Sequence, residues 1–400
     1  MNDVVGPGTV LGYCTNVHAG ASLEQTLANL KRYALAVKAR VSPGADMGVG
    51  LWLSAAAAGD LLEQGRVAEL AAWLGEHGLT AFTLNGFPHG DFHQPVVKHR
   101  VYQPNWADDE RLNYSLNLTY ILSQLLPEGA EGSISTLPVG WGAEFEQSPD
   151  ALAAAAGNLR RVAQHLSHIE QATGRLIHLD LGPEPGCYLD SSEDVVNLFQ
   201  NYLFLAAQEE QVLRYLRVCY DICHSAVMFE EHAEAFDRYR RAGIAVGKVQ
   251  VSSAVRARFG AHTDQDRQSM REQLGSFAED RYLHQTVVRD GGDGPPLDRF
   301  FDDLPAALAS LQTGSKPGGE WRIHFHVPLY LSCFGLLETT QDEVLTCLAE
   351  LRKQGGVRHF EAETYAWNVL PTELQVEDLA EGIARELTWL REQASRAEEL

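Results

Sequence analysis

"LIHLDLGPEPG", residues 176–186, is an apolar run that ends in an acid set between two prolines. Proline fixes its own φ near about −65° and biases the residue before it toward extended backbone. Glu184 therefore sits on a stiff stub at the end of a buried strand, a placement that suits a carboxylate whose direction matters. Outward from this run, short β-branched segments alternate with longer amphipathic ones. Strands are expected at 9–17, 46–54, 79–87, 132–141, 175–182, 216–223, 245–252 and 358–366. Two more runs, 282–288 and 321–329, fall in the long segment before the last strand. Between them lie helices with readable ends. Ser22 starts one with Gln25 at the capping-box position, Ser148 and Pro149 start another that stops at Gly174, and Ser191 or Ser192 opens a third.

Eight strand–helix alternations predict an α/β chain folded as a (β/α)8 TIM barrel, a parallel sheet closed on itself. The reading is one TIM-barrel domain over 1–400, with an insertion at approximately 256–328 before the last strand. No GxGxxG follows the first strand, which disfavours an open dinucleotide-binding sheet.

Of the 400 residues, 45% are apolar and 22% charged, the balance of an ordinary globule, and the formal net charge is −22. Such a surface repels phosphate backbones and argues against a nucleic-acid partner. No run is long and apolar enough for a transmembrane segment, and the start shows no signal-peptide pattern. A cytoplasmic location is the expectation. The six cysteines include no CxxC pair and read as reduced thiols; Cys219 and Cys223 read as packing groups.

In barrels the working residues lie at the carboxyl ends of the strands. Here those ends supply Glu184, then Asp221 and His224 in "YDICH", Gln250 in "KVQVS", and Glu363 in "EAETY". His324 and His326 in "RIHFHVP" are two apart and share a face if extended. Earlier ends add His18, Asn85 and His89. A single strand-end histidine is usually just a satisfied polar group, and Glu361 could simply pair with a cation. The grouping carries more weight. Carboxylates converging at one mouth are costly without a cation, and the strand tips offer few beyond Lys248 and Arg256. One divalent ion with oxygen and imidazole ligands, Mn, Mg, Co or Zn, resolves the repulsion.

At these residues the chain resembles the xylose isomerase-like superfamily of metal-dependent TIM barrels, which includes sugar isomerases, epimerases and endonuclease relatives. Within it, "LGYCTNVHAG", "TLNGFPHGDFH", "GSISTLPVGW", "WRIHFHVP" and "EAETYAWNVLP" resemble the EboE family, metabolite traffic proteins of bacterial ebo clusters. The resemblance implies metal ligands at Glu184, Asp221, Gln250 and Glu363, and catalysis by Glu184 and Glu363. It implies substrate contacts from His224, His326, His324, His89, Asn85 and His18. Gln250 stands where the superfamily has a histidine; an amide oxygen ligates a hard cation but is a poorer ligand for zinc. The implied activity is isomerisation or epimerisation of a sugar or cyclitol through an ene-diolate, in secondary-metabolite biosynthesis. The implied partners are a small polyhydroxylated metabolite, other ebo-cluster proteins and a second copy in a homodimer. Two alternatives stand beside it: a non-catalytic barrel that binds a metabolite or partner, and a metal-dependent phosphoester hydrolase.

Overall fold

A computed structural model describes residues 8–146, 148–205, 208–260, 262–290, 298–311 and 318–396. Seven strands come first: β1 (Val10–Tyr13), β2 (Met47–Trp52), β3 (Leu79–Asn85), β4 (Glu131–Thr136), β5 (Leu176–Leu181), β6 (Leu216–Asp221) and β7 (Val246–Val251). Six short strands follow: β8 (Val255–Arg258), β9 (Thr286–Arg289), β10 (Asp298–Phe301), β11 (Glu320–Ile323), β12 (Cys333–Phe334) and β13 (Leu337–Thr339). The last is β14 (His359–Ala362). Strands β1 to β7 and β14 form one eight-stranded sheet in the order β1-β14-β7-β6-β5-β4-β3-β2, with every recorded pair parallel. A parallel bridge between Cys14 and Gly50 brings the two edges together. Helices lie between successive strands, so the molecule is a (β/α)8 barrel.

The run that begins the chain's reading shows how the barrel is filled. In β5, Ile177, Leu179 and Leu181 are buried against the helical layer, while His178 and Asp180 between them point inward and are also fully buried. Successive side chains of a strand point to opposite faces. Apolar runs in this sheet thus hide a polar inner face. Helix ends follow the expected chemistry. Ser22 and Gln25 form a reciprocal capping box, Ser148 accepts from Ala151 N, and Gly174 ends its helix with φ +68°. Ser191, rather than Ser192, caps the third helix.

Between β7 and β14 the chain builds a second, antiparallel sheet in the order β10-β9-β11-β8-β13-β12. Its strands β8 to β13 span 255–339. No helix among the described residues is long and apolar enough to cross a membrane.

Candidate metal centre

Strand β6 ends at Asp221, which also caps the helix Ile222–Val227. Its Oδ1 accepts from His224 N at 3.2 Å and from Ser252 Oγ at 2.6 Å. This one cap fixes the carboxylate and places His224 one helical turn beyond it. Past β5, Pro183-Glu184-Pro185 runs into a tight turn, with Glu184 N donating to Leu189 O at 2.9 Å and Cys187 N to Glu184 O at 3.1 Å. His324 and His326 come directly after β11, so the second sheet delivers two imidazoles to the barrel mouth.

The hydrogen bonds settle which ring nitrogens are bare. Nδ1 of His224 meets Pro183 O at 2.8 Å, and Nδ1 of His326 meets Glu363 O at 2.6 Å. Nδ1 of His324 meets the side-chain oxygen of Gln285 at 2.8 Å, while the Gln285 amide nitrogen is turned to other acceptors. Carbonyl oxygens only accept, so each Nδ1 carries a proton, and a ring without a second proton presents a lone pair at Nε2. Burial pushes His326 down to about 4 and His324 well below the usual imidazole range, which keeps both rings neutral. Nε2 of His324, Nε2 of His326 and Oδ2 of Asp221 are buried without a hydrogen-bond partner among the described residues. Buried orphans of this kind are rare and costly.

Ligand atoms of Glu184, His224 and His324 lie within 4.8 Å of one another, and so do those of Asp221, His224 and His326. Because His224 has committed Nδ1 to a carbonyl, its Nε2 can serve one ion. The two triads therefore share His224, one adding Glu184 and His324 and the other Asp221 and His326, and Cys223 forms a third such group with His324 and His326. Mixed nitrogen and oxygen donors of this sort fit a divalent transition ion or zinc. The outward Nδ1 bonds to acceptors are what such ligands require.

Glu363 stands apart from these groups. Its Oε1 accepts from Asn16 at 2.6 Å and Asn85 at 3.2 Å, and Oε2 accepts from Gln250. Burial, with Asp221 and Glu361 nearby, pushes its carboxyl up to about 8. Gln250 turns its amide nitrogen to Glu363 and its oxygen to the Cys219 thiol at 2.9 Å, so both ends are engaged within the barrel. Asn85 joins the site through Glu363. His18 and His89 do not line this cavity. His18 hydrogen bonds Tyr13 at 3.0 Å and stacks on Tyr33, while His89 lies 3.7 Å from Glu110. The two cations expected at the strand tips are elsewhere: Lys248 is inside the barrel against Glu361 at 2.6 Å, and Arg256 pairs with Glu338 and Asp342.

Three further residues shape the site. Tyr102 donates to Glu184 Oε1 at 2.6 Å, Gln285 donates to the same oxygen at 3.1 Å, and Asn16 holds Glu363. Burial still raises the Glu184 carboxyl above its ordinary value. Gln285 and Asn16 carried a faint signal in the sequence, as polar residues within or after apolar runs; Tyr102, in a loop, carried none. Tyr102 and Asn16 line a cavity of about 580 Å³ including its open mouth, and Tyr365 closes another part of its wall.

No protein-family model matches the sequence. Nor does any curated protein. Among solved structures, a xylose isomerase-like TIM barrel protein from Mycobacterium smegmatis in complex with magnesium superposes with a TM-score of 0.51 at 10% identity, over 99% of each chain. The IolI protein with a bound zinc atom gives 0.47 at 13% identity, over 97% of this chain and 98% of its own. A 3-keto-D-glucoside 4-epimerase, YcjR, from E. coli gives 0.44 at 14%, over 96% and 99%. The fold of this chain is that of the xylose isomerase-like TIM barrels.

Proposed function

We propose that this barrel is a divalent-metal-dependent isomerase or epimerase of a polyhydroxylated carbonyl compound. The observation that carries the reading is the gathering of imidazole nitrogens and carboxylate oxygens within 4.8 Å of one another, with Nε2 of His324, Nε2 of His326 and Oδ2 of Asp221 lacking a hydrogen-bond partner among the described residues. A bound ion would supply Lewis-acid stabilisation of charge developing on the substrate oxygens. Glu184, Asp221, His224, His324 and His326 would hold it. A chain with the same fold is known in complex with magnesium, which supports a divalent ion for this one.

Glu363 takes the role of proton carrier. It lies outside the ligand groups, and three side-chain amides hold its two oxygens in a fixed direction. Positioned acid–base groups contribute about 10²–10⁴-fold. Glu184 comes from β5, three places around the barrel from β14, and is the candidate partner on the far side of the reacting carbon. We take the second sheet as an insertion in one barrel domain that brings His324 and His326 to the mouth. The likeness to the EboE family is what supports a place in secondary-metabolite biosynthesis.

The test is proton exchange. Mn²⁺-loaded protein in deuterated water, offered a panel of sugar and cyclitol ketones, is expected to place deuterium on carbon beside the carbonyl. Glu363→Gln is expected to keep the ion and lose about 10²-fold or more of that exchange. Exchange that proceeds unchanged in Glu363→Gln, or an ion that fails to bind, overturns the reading.

A further inference from the structure

The cavity has two unlike halves. Imidazoles, carboxylates and amides from the strand ends line one part, and Phe87, Pro88, Phe92, Val97, Val101 and Leu283, from the segments after β3 and before β9, line the other. That apolar part is built before any ligand arrives. Val97 N and Lys98 N both donate to Arg281 O, at 2.8 and 2.9 Å, tying the segment after β3 to the segment before β9. Tyr282 donates its hydroxyl to Phe92 O at 3.1 Å. The rings of Phe92, Tyr282 and Tyr365 pack with centroids 4.9, 5.0 and 5.4 Å apart. A preformed apolar surface needs little reorganisation to bind an apolar group.

Lys98 is the one lysine or arginine among the residues lining this cavity. Its ammonium reaches Asp303 Oδ2 at 2.7 Å, Tyr282 O at 2.7 Å and Glu279 O at 3.2 Å. An ammonium has three protons to give, and all three are given. Among the described residues the cavity therefore offers no free cationic side chain to a phosphoryl group, which is ordinarily gripped by arginine or lysine.

Resting on the metal-dependent reading above, we infer that the substrate is an unphosphorylated hydroxy-carbonyl compound with an apolar, ring-sized substituent. Its oxygen-bearing end meets the imidazoles and carboxylates, and the substituent lies against Phe87, Phe92, Val101 and Leu283.

Calorimetry on the full chain tests this in two stages. Mn²⁺ is titrated first, and the loaded protein is then titrated with hydroxyacetone, phenyl hydroxymethyl ketone and dihydroxyacetone phosphate. The phenyl ketone is expected to bind about 30-fold more tightly than hydroxyacetone, as burial of one phenyl face predicts, and the phosphate no more tightly than hydroxyacetone. Val101→Asn is expected to erase most of the phenyl advantage while leaving the affinities for Mn²⁺ and hydroxyacetone unchanged. If Mn²⁺ binds but the phenyl ketone has no advantage, or the phosphate binds about tenfold more tightly than hydroxyacetone, the inference is overturned and the metal reading stands. If Mn²⁺ does not bind, the metal reading falls and the inference falls with it.

Discussion

Two residues before Asp221, Gln250 and Glu363, the same strands carry Cys219, Lys248 and Glu361, also facing inward and fully buried. At this lower level, the waist of the barrel, opposite charges meet. Lys248 and Glu361 are 2.6 Å apart, and the His178 ring meets Asp180 at 2.6 Å. Glu131 lies 3.4 Å from the other His178 nitrogen and binds Arg217 at 2.7 Å. Asp180 and Glu131 raise the affinity of His178 for its proton, against the burial that lowers it. Most barrels fill this space with branched apolar side chains. Here glycine makes the room: a Cβ on Gly50 would stand 1.4 Å from Glu361 Oε1, and one on Gly247 would stand 2.5 Å from Asp180 Oδ1. At the mouth, imidazoles meet carboxylates, all buried except the partly buried His224. Burial and polarity are alike in both regions. Charge matching separates the structural ion pair at the waist from the candidate cation site at the mouth.

The sharpest way to break that contrast is to remove a charge at each level. Lys248→Met leaves the Glu361 carboxylate buried without its partner, and breaking such a pair costs about 3–5 kcal/mol. Urea unfolding is expected to show that loss, with most of it recovered in the double variant Lys248→Met, Glu361→Gln. A loss below about 1 kcal/mol would place the waist outside the buried-pair range. At the mouth the expectation is the reverse. Without metal, Asp221→Asn keeps a good helix-capping side chain and removes a charge beside other carboxylates. Its stability is expected to stay within about 1 kcal/mol of the parent.

Metal addition sharpens the comparison next. An ion that binds only the folded chain stabilises it by about 2.7 kcal/mol at a hundredfold excess over Kd. The parent and Lys248→Met, if folded, are expected to gain this equally, since Lys248 is no ligand. Asp221→Asn is expected to gain little, and a chelator should reverse the gain wherever it appears. Equal gains in Asp221→Asn and the parent would remove Asp221 from the ligand set.

The barrel and the carboxylates at its mouth were legible in the sequence because both are local signals. Strand periodicity, helix caps and the Pro183-Glu184-Pro185 stub each depend on neighbours within a few residues. Asp221 and His224 could be read together because a cap and the first helical turn join them. The waist was harder. Its polar residues alternate with apolar ones in "IHLDL", "GKVQV" and "HFEA", and alternation in a parallel sheet marks an inner face. Yet the pairing of Lys248 with Glu361 spans the whole of the insertion. His324 and His326 were read as substrate contacts, since the sequence does not say that the second sheet folds back over the mouth. Gln285 and Tyr102 reach Glu184 across about a hundred residues or less, with no periodicity to announce them.

Gln285 offers the finest test, because it touches both kinds of ligand without belonging to either triad. Its oxygen accepts from His324 Nδ1 at 2.8 Å, and its nitrogen donates to Glu184 Oε1 at 3.1 Å and to Pro185 O at 3.2 Å. One amide thus fixes the imidazole tautomer and steadies the carboxylate. Removing such a supporting partner typically costs about 10–100-fold in metal affinity. Gln285→Leu is expected to weaken Mn²⁺ binding by about tenfold, at the low end of that range, since Tyr102 still holds Glu184. Gln285→Glu separates the two tasks. Its carboxylate can still accept the His324 proton, but it cannot donate to Glu184 and sets a like charge beside it. If tautomer control dominates, Gln285→Glu should bind Mn²⁺ more tightly than Gln285→Leu; if support of Glu184 dominates, the order should reverse. Parent-like affinity in both variants would mean that His324 needs no partner to present Nε2, and the distinction between mouth and waist would lose its supporting hydrogen bonds.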